Sequence, residues 1–121
     1  MLDLNTLMVY SENPQVLTEF YKKVFEKDPD WSDQGYTGFK VGNTIFMIGP
    51  HSEVHGKNTM PARFIVNFQT QDVAKEFERI EQIGATVVAK PYHPGEDQSV
   101  LLATLSDPDG NYFQLASPMK M

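Results

Sequence analysis

Residues able to do chemistry are few in this chain, and their spacing is loose. His51-Ser52-Glu53-Val54-His55 sets two imidazoles around a carboxylate. Two histidines at that separation share one face only on a helix. Here Gly49-Pro50 and Gly56 bracket the segment and make it a loop. A solvated surface loop is the reading that follows. His93 lies in a second loop, Pro91-Tyr92-His93-Pro94-Gly95-Glu96, either as a lid residue over a cleft or in an exposed turn. Glu96 and Asp97 could approach a cleft from the same loop, but nothing in the sequence fixes them there. There is no nucleophile elbow, no Gly-rich phosphate loop and no evident carboxylate pair. General acid–base chemistry needs a titratable group inside a site, and none is evident. Zero cysteines exclude thiol nucleophiles, disulfides and Cys-based zinc sites.

The composition narrows the partners. The 121 residues suit one domain, with 40% hydrophobic and 21% charged residues, a globular balance. Sixteen acidic against ten basic residues leave a net charge of −6. Nucleic-acid binding, which needs clustered Lys and Arg, is not expected. An acidic surface favours a cationic ligand or simply solubility. No apolar run approaches the about 20 residues that span a bilayer, so no membrane partner is expected. Met1-Leu2-Asp3-Leu4-Asn5 lacks a basic segment before a long apolar run, so no secretory signal is expected and cytoplasm is the default.

These residues must be positioned by short elements. Leu4–Tyr10 is apolar and β-prone. Asn13 is a candidate N-cap and Pro14 a first helical residue. Val16, Leu17, Phe20, Tyr21, Val24 and Phe25 then recur at spacings of three and four, predicting a helix over 14–26. Strands are predicted at Asp30–Ser32, Tyr36–Val41 and Thr44–Ile48, with Gly35 between the first two and Gly42-Asn43 as a tight hairpin turn. Gly49–Pro61 is a polar loop. A strand is predicted at Arg63–Gln69, then a helix over 72–83 that starts at Asp72 and stops at Gly84. Further strands are predicted at Thr86–Ala89, Gln98–Leu105 and Tyr112–Ala116, with Asp107-Pro108-Asp109-Gly110 as the last turn. The order is β-α-β-β-β twice, an α+β fold. It predicts two modules, about 1–50 and 62–121, joined by a loop at about 51–61 and pairing into a curved mixed sheet around a cleft.

Three segments in this order resemble the vicinal oxygen chelate superfamily of glyoxalases, bleomycin-resistance proteins and extradiol dioxygenases. They are Asn13-Pro14 through Phe20-Tyr21 to Phe25-Glu26, then Asp72-Val73 through Phe77 and Ile80 to Gly84-Ala85, then Asp107-Pro108-Asp109-Gly110-Asn111. The first departs from the family pattern, with Phe25-Glu26 where Leu-Gly is usual. The resemblance covers essentially the whole chain. It implies a metal held in the cleft by one His, Gln or Glu from each of the first, fourth, fifth and eighth strands. Carried over residue by residue, those positions fall on Thr6, Met47, Ile65 and Gln114. Of these only Gln114 is a reasonable ligand, and one neutral ligand does not hold a divalent ion. No metal and no other cofactor is therefore expected.

Strand alternation extends the set. Gln114 brings Tyr112 and Ala116 to the cleft face, and Ile65 brings Asn67 and Gln69. Thr6 brings Met8 and Tyr10, Met47 brings Ile45, and Trp31 closes one end. The expected ligand-binding residues are Thr6, Met8, Trp31, Met47, Ile65, Asn67, Gln69, Tyr112 and Gln114. They form either an apolar, aromatic small-molecule pocket or a filled interior with Asn67 and Gln114 bonded to each other. The function expected from this set is metal-free binding of a small amphipathic or aromatic molecule, a sequestering resistance protein being one version. The alternatives are a metal-dependent lyase, isomerase or dioxygenase with an atypical site, and a module acting through protein contacts. The resemblance also implies a homodimer.

Overall fold

The computed structural model describes residues 1–119. The element order is β1 (Thr6–Tyr10), α1 (Pro14–Phe25), β2 (Trp31–Asp33), β3 (Tyr36–Val41), β4 (Thr44–Gly49), β5 (Val66–Gln69), α2 (Val73–Ile83), β6 (Thr86–Tyr92), β7 (Leu102–Ser106) and β8 (Tyr112–Ala116). This is the α+β order β-α-β-β-β repeated, with two four-stranded mixed sheets ordered β1-β4-β3-β2 and β5-β8-β7-β6. The chain divides into two compact units at Gly56/Lys57, a point inside the polar loop. Among the described residues no helix is long and apolar enough to cross a membrane.

In the first module α1 packs on β3 and β4. Leu17, Phe20, Tyr21 and Val24 are buried with Phe39, Phe46 and Ile48. Tyr21 and Phe46 meet at 4.7 Å between ring centroids, and Phe25 lies 5.2 Å from Phe39. Each such buried side chain contributes about 1.5–3 kcal/mol. Val16 departs from expectation: it is 57% exposed. At 100° per residue it sits about a right angle from the centre of the stripe, on the flank. Asn13 also departs, because its side chain makes no cap hydrogen bond. Instead its N–H donates to the buried Ser11 Oγ, and its carbonyl accepts from Val16 and Leu17. The β3–β4 turn holds two residues, since Val41 pairs with Thr44. Gly42 takes φ +58 and Asn43 does not turn positive, as a type II′ hairpin requires.

In the second module α2 packs on β6, β7 and β8, burying Val73, Phe77 and Ile80 with Ala103, Leu105, Phe113 and Leu115. Asp72 caps α2 by accepting from the Lys75 N–H, and Gly84 ends it at φ 118. The β7–β8 turn is organised by the buried Asp107, whose Oδ1 accepts the N–H groups of Asp109 and Asn111.

Several strand boundaries differ from the sequence expectation: β1 starts at Thr6, β4 ends at Gly49 and β7 ends at Ser106. β2 starts at Trp31 and ends at Asp33. β5 starts at Val66, so Arg63 to Ile65 lie outside it. β6 runs on through Pro91 to Tyr92, because Pro in an outermost strand costs no ladder bond if its missing donor faces outward. β7 starts at Leu102, leaving His93 to Leu101 as the loop.

Candidate functional site

Each sheet buries one face under its helix and leaves the other open. In the second module the register fixes which side chains share the open face. Asn67 lies opposite Gln114, and Gln69 opposite Ala116. Across β7, Thr104 lies opposite Gln114, Leu102 opposite Ala116, and Ser106 opposite Tyr112. Directly opposed residues point the same way, so one row of carboxamides and hydroxyls crosses three strands. Gln114 Nε2 donates to Thr104 Oγ1 at 3.0 Å. The expected alternative, an Asn67–Gln114 bond, is not the one formed. Thr104, itself buried, takes that role.

A pocket of about 580 Å³ opens on this face, within the range of small-molecule sites. Its floor is Asn67, Leu102, Gln114 and Ala116. Its walls are Asp97, Ser99 and Val100 from the loop after β6, and Ser117, Pro118 and Met119 after β8. Long-range hydrogen bonds hold those walls. Ser117 N–H donates to Leu101 O at 3.0 Å, and Leu101 N–H donates to Ser117 Oγ at 2.9 Å. Ser99 donates its N–H and its hydroxyl to Asp97 Oδ1, at 2.9 and 2.7 Å. His93 Nδ1 lies 2.9 Å from the Val100 carbonyl, so this histidine braces the loop from outside the pocket lining.

The first module has its own open face. Thr6 pairs with Ile45 and Met8 with Met47 across the parallel β1–β4 ladder. Gly38 lies beside Met47 on β3, and Trp31 beside Gly38 on β2. A Cβ on Gly38 would lie in ordinary van der Waals contact with Ile45 Cγ2 at 3.4 Å and Trp31 Cε3 at 3.5 Å, so the indole packs beside this residue. The result is an apolar surface on which Met8 and Trp31 stay 41% and 48% exposed.

The nine expected binding residues thus fall into separate groups. Thr6, Met8, Trp31 and Met47 share the first module's open face. Asn67, Gln69, Tyr112 and Gln114 share the second's, where Asn67 and Gln114 line the pocket. Ile65 joins neither: it precedes β5, so the strand alternation meant to aim it does not apply. The His51–His55 loop is exposed, and it is tethered rather than loose. Glu12 accepts the Gly56 N–H at 3.0 Å and lies 3.7 Å from His55 Nδ1, while His51 meets the Tyr10 ring edge-on at 5.0 Å.

The sequence matches the model of the glyoxalase-like domain over residues 6–116. The chain belongs to that family, within the vicinal oxygen chelate superfamily. Solved structures agree on the fold. A glyoxalase/bleomycin resistance protein/dioxygenase family enzyme from Burkholderia phytofirmans PsJN superposes with TM-score 0.76 at 21% identity, covering 98% of this chain and 100% of that one. A glyoxalase-related enzyme from Fulvimarina pelagi gives 0.79 at 14% identity, covering 98% and 89%. A genomically encoded fosfomycin resistance protein from Listeria monocytogenes gives 0.69 at 21% identity, covering 98% and 93%. No curated protein matches the sequence.

The side chains at the superfamily's metal positions are poor donors in this glyoxalase-like domain. Of the four carried-over positions, Met47 and Ile65 offer no hard donor, and Thr6 donates its hydroxyl to Asn5 Oδ1. Gln114, whose amide nitrogen donates to Thr104, offers its Oε1 as a single neutral donor. Among the described residues no three His, Cys, Asp or Glu side chains cluster so as to hold a metal. The donor set does not fit a divalent cation.

Sequence reasoning missed Leu102, Ser99, Val100, Thr104 and Ser117. Thr104 was findable, because alternation along β7 and β8 places it beside Gln114. The loop and tail residues carry no periodic signal. They are placed by the Ser117–Leu101 bonds, which join segments 16 residues apart.

Proposed function

We propose that this glyoxalase-like domain is a metal-free binding module holding a small amphipathic or aromatic molecule in the pocket on the second sheet. The observation that carries the reading is the lining. An apolar floor of Leu102 and Ala116, extended by Val100, Pro118 and Met119, carries two convergent carboxamides, Asn67 and Gln114. Apolar contact supplies affinity and a few placed polar groups fix orientation. The chain works as a homodimer with small molecules as its partners, and its lack of cysteine suits the reducing cytoplasm.

The test is a thermal-shift and NMR titration with aromatic and amphipathic fragments. Binders raise the melting temperature, since a ligand at a hundred times its Kd adds about 2.7 kcal/mol. They shift the side-chain amides of Asn67 and Gln114, and Asn67→Ala with Gln114→Ala weakens them. A panel with no binder at millimolar concentration overturns the reading. So does a stoichiometric divalent metal whose removal by a chelator abolishes an activity.

A further inference from the structure

The two carboxamides on the pocket floor are not equivalent, and the difference points to one kind of ligand. Gln114 stands on β8, between β5 and β7. Its Nε2 donates to the buried Thr104 Oγ1 on the β7 side. The oxygen and nitrogen of a carboxamide leave its carbon in different directions. Anchoring the nitrogen therefore turns Oε1 away from Thr104 as an oriented acceptor. Asn67 lies opposite Gln114 on β5 and is exposed on the same face. Its carboxamide brings both an N–H donor and a carbonyl acceptor.

Adjacent strands lie about 4.8 Å apart. A planar group with N–H and C=O on one edge bridges that span. Its N–H donates to Gln114 Oε1, and its oxygen accepts from Asn67. An open-chain secondary amide is trans and points the two groups opposite ways. A small ring forces both onto the same edge. An ester in the same place sets an oxygen against Oε1, acceptor against acceptor, and leaves Oε1 without a donor. Beside the two carboxamides, Val100, Leu102 and Ala116 supply apolar surface for a flat body.

We propose that the ligand of this pocket is a lactam. Gln114 reads its N–H, Asn67 reads its carbonyl, and its apolar or aromatic body lies over Val100, Leu102 and Ala116. This deepens the binding reading and rests on it.

Three bicyclic probes of one shape test the proposal on the full chain by NMR titration: 2-quinolone, coumarin and quinoline. Coumarin replaces the ring N–H with oxygen, and quinoline lacks the carbonyl. 2-Quinolone binds about threefold to tenfold tighter than coumarin, the factor that one hydrogen bond supplies. Gln114→Leu, made together with Thr104→Val so that neither partner is left unpaired, makes the two bind alike. Asn67→Ala weakens 2-quinolone and coumarin by similar factors and leaves quinoline unchanged. Equal binding of 2-quinolone and coumarin to the native chain overturns the lactam proposal and leaves the pocket reading standing. So does a preference that survives the loss of Gln114, or an equal loss of all three probes in Asn67→Ala. If other fragments shift the Asn67 and Gln114 amides and these three do not, the lactam proposal alone falls. If no fragment shifts them, both readings fall together.

Discussion

Gln114 on β8 and Thr104 on β7 stand opposite each other and share a 3.0 Å hydrogen bond from Nε2 to Oγ1. The bond fixes the orientation of the one carboxamide that both the superfamily position and the pocket floor have in common. Thr104→Val keeps the shape and deletes the acceptor. It lowers stability by about 1 kcal/mol, read as a lower urea midpoint, and weakens ligand binding because Gln114 can then rotate. The double change Thr104→Val with Gln114→Leu restores most of the stability, since neither partner is left unpaired. It does not restore binding.

A second prediction concerns Gly49 and Tyr36. A Cβ on Gly49 would run into the Tyr36 ring at Cδ1 and Cε1, and the Tyr36 hydroxyl donates to the Pro50 carbonyl at 3.2 Å. Gly49→Ala destabilises by about 1–3 kcal/mol, the usual cost of overpacking. Combining it with Tyr36→Ala costs less than the sum of the two single losses. Denaturant melts of the four proteins give the coupling directly.

Among the described residues, two other than glycine sit in the left-handed region. Glu26 ends α1 at φ 56, and Gln34 turns between β2 and β3 at φ 49, followed by Gly35 at φ 87. Glu26 stands where the superfamily pattern that the chain resembles has glycine, and its left-handed backbone angle after the helix is one that glycine favours. Glu26→Gly and Gln34→Gly each raise stability by a few tenths to about 1 kcal/mol. Urea midpoints of the two single variants and the double variant give each gain and the coupling between the two positions.

The acid limb of stability has named sources. Lys27 hydrogen-bonds Asp30, and with the Lys40 N–H it holds the Asp30 carboxyl below its ordinary 3.8. Arg79 hydrogen-bonds Glu76 and holds it below 4.5. Both carboxyls are depressed in the folded state. Their contribution is present above the unfolded values and is lost as pH falls through the folded ones. Lys22 is the opposite case. Asp28 and then Glu19 raise it above 10.5, so its contribution holds below that value and goes as pH climbs past it. Stability from these groups is level between about pH 5 and 10. Asp30→Asn with Glu76→Gln lowers the plateau and flattens the acid decline, measured as urea midpoints across pH.

Periodicity and turn chemistry made most of the fold legible. The spacing from Leu17 to Val24 and the Asp72 and Gly84 caps located both helices, and Gly42-Asn43 and Asp107 to Gly110 located two turns. The failures share a cause. Phe64-Ile65-Val66 has strand composition, yet Phe64 is 83% exposed. A turn with Arg63 N–H on Met60 O precedes it, and pairing with β8 begins only at Val66 and Phe113. Strand ends are set by where a partner strand is available, which composition does not record. The pocket was half legible for the same reason. Asn67 and Gln114 follow from alternation, while Asp97, Ser99 and Val100 follow from bonds to a distant tail.

The irregular ladder of β6 has a consequence for how the protein behaves at high concentration. Its register with β7 slips between Val87 and Ala89 and again between Ala89 and Tyr92, and the outermost strand carries Lys90 and the donor-less Pro91. A neighbouring chain seeking to extend this sheet meets an interrupted series of backbone donors and a buried-charge cost. The rim is self-terminating, which protects a fold built from repeated short strands against fibrillar stacking.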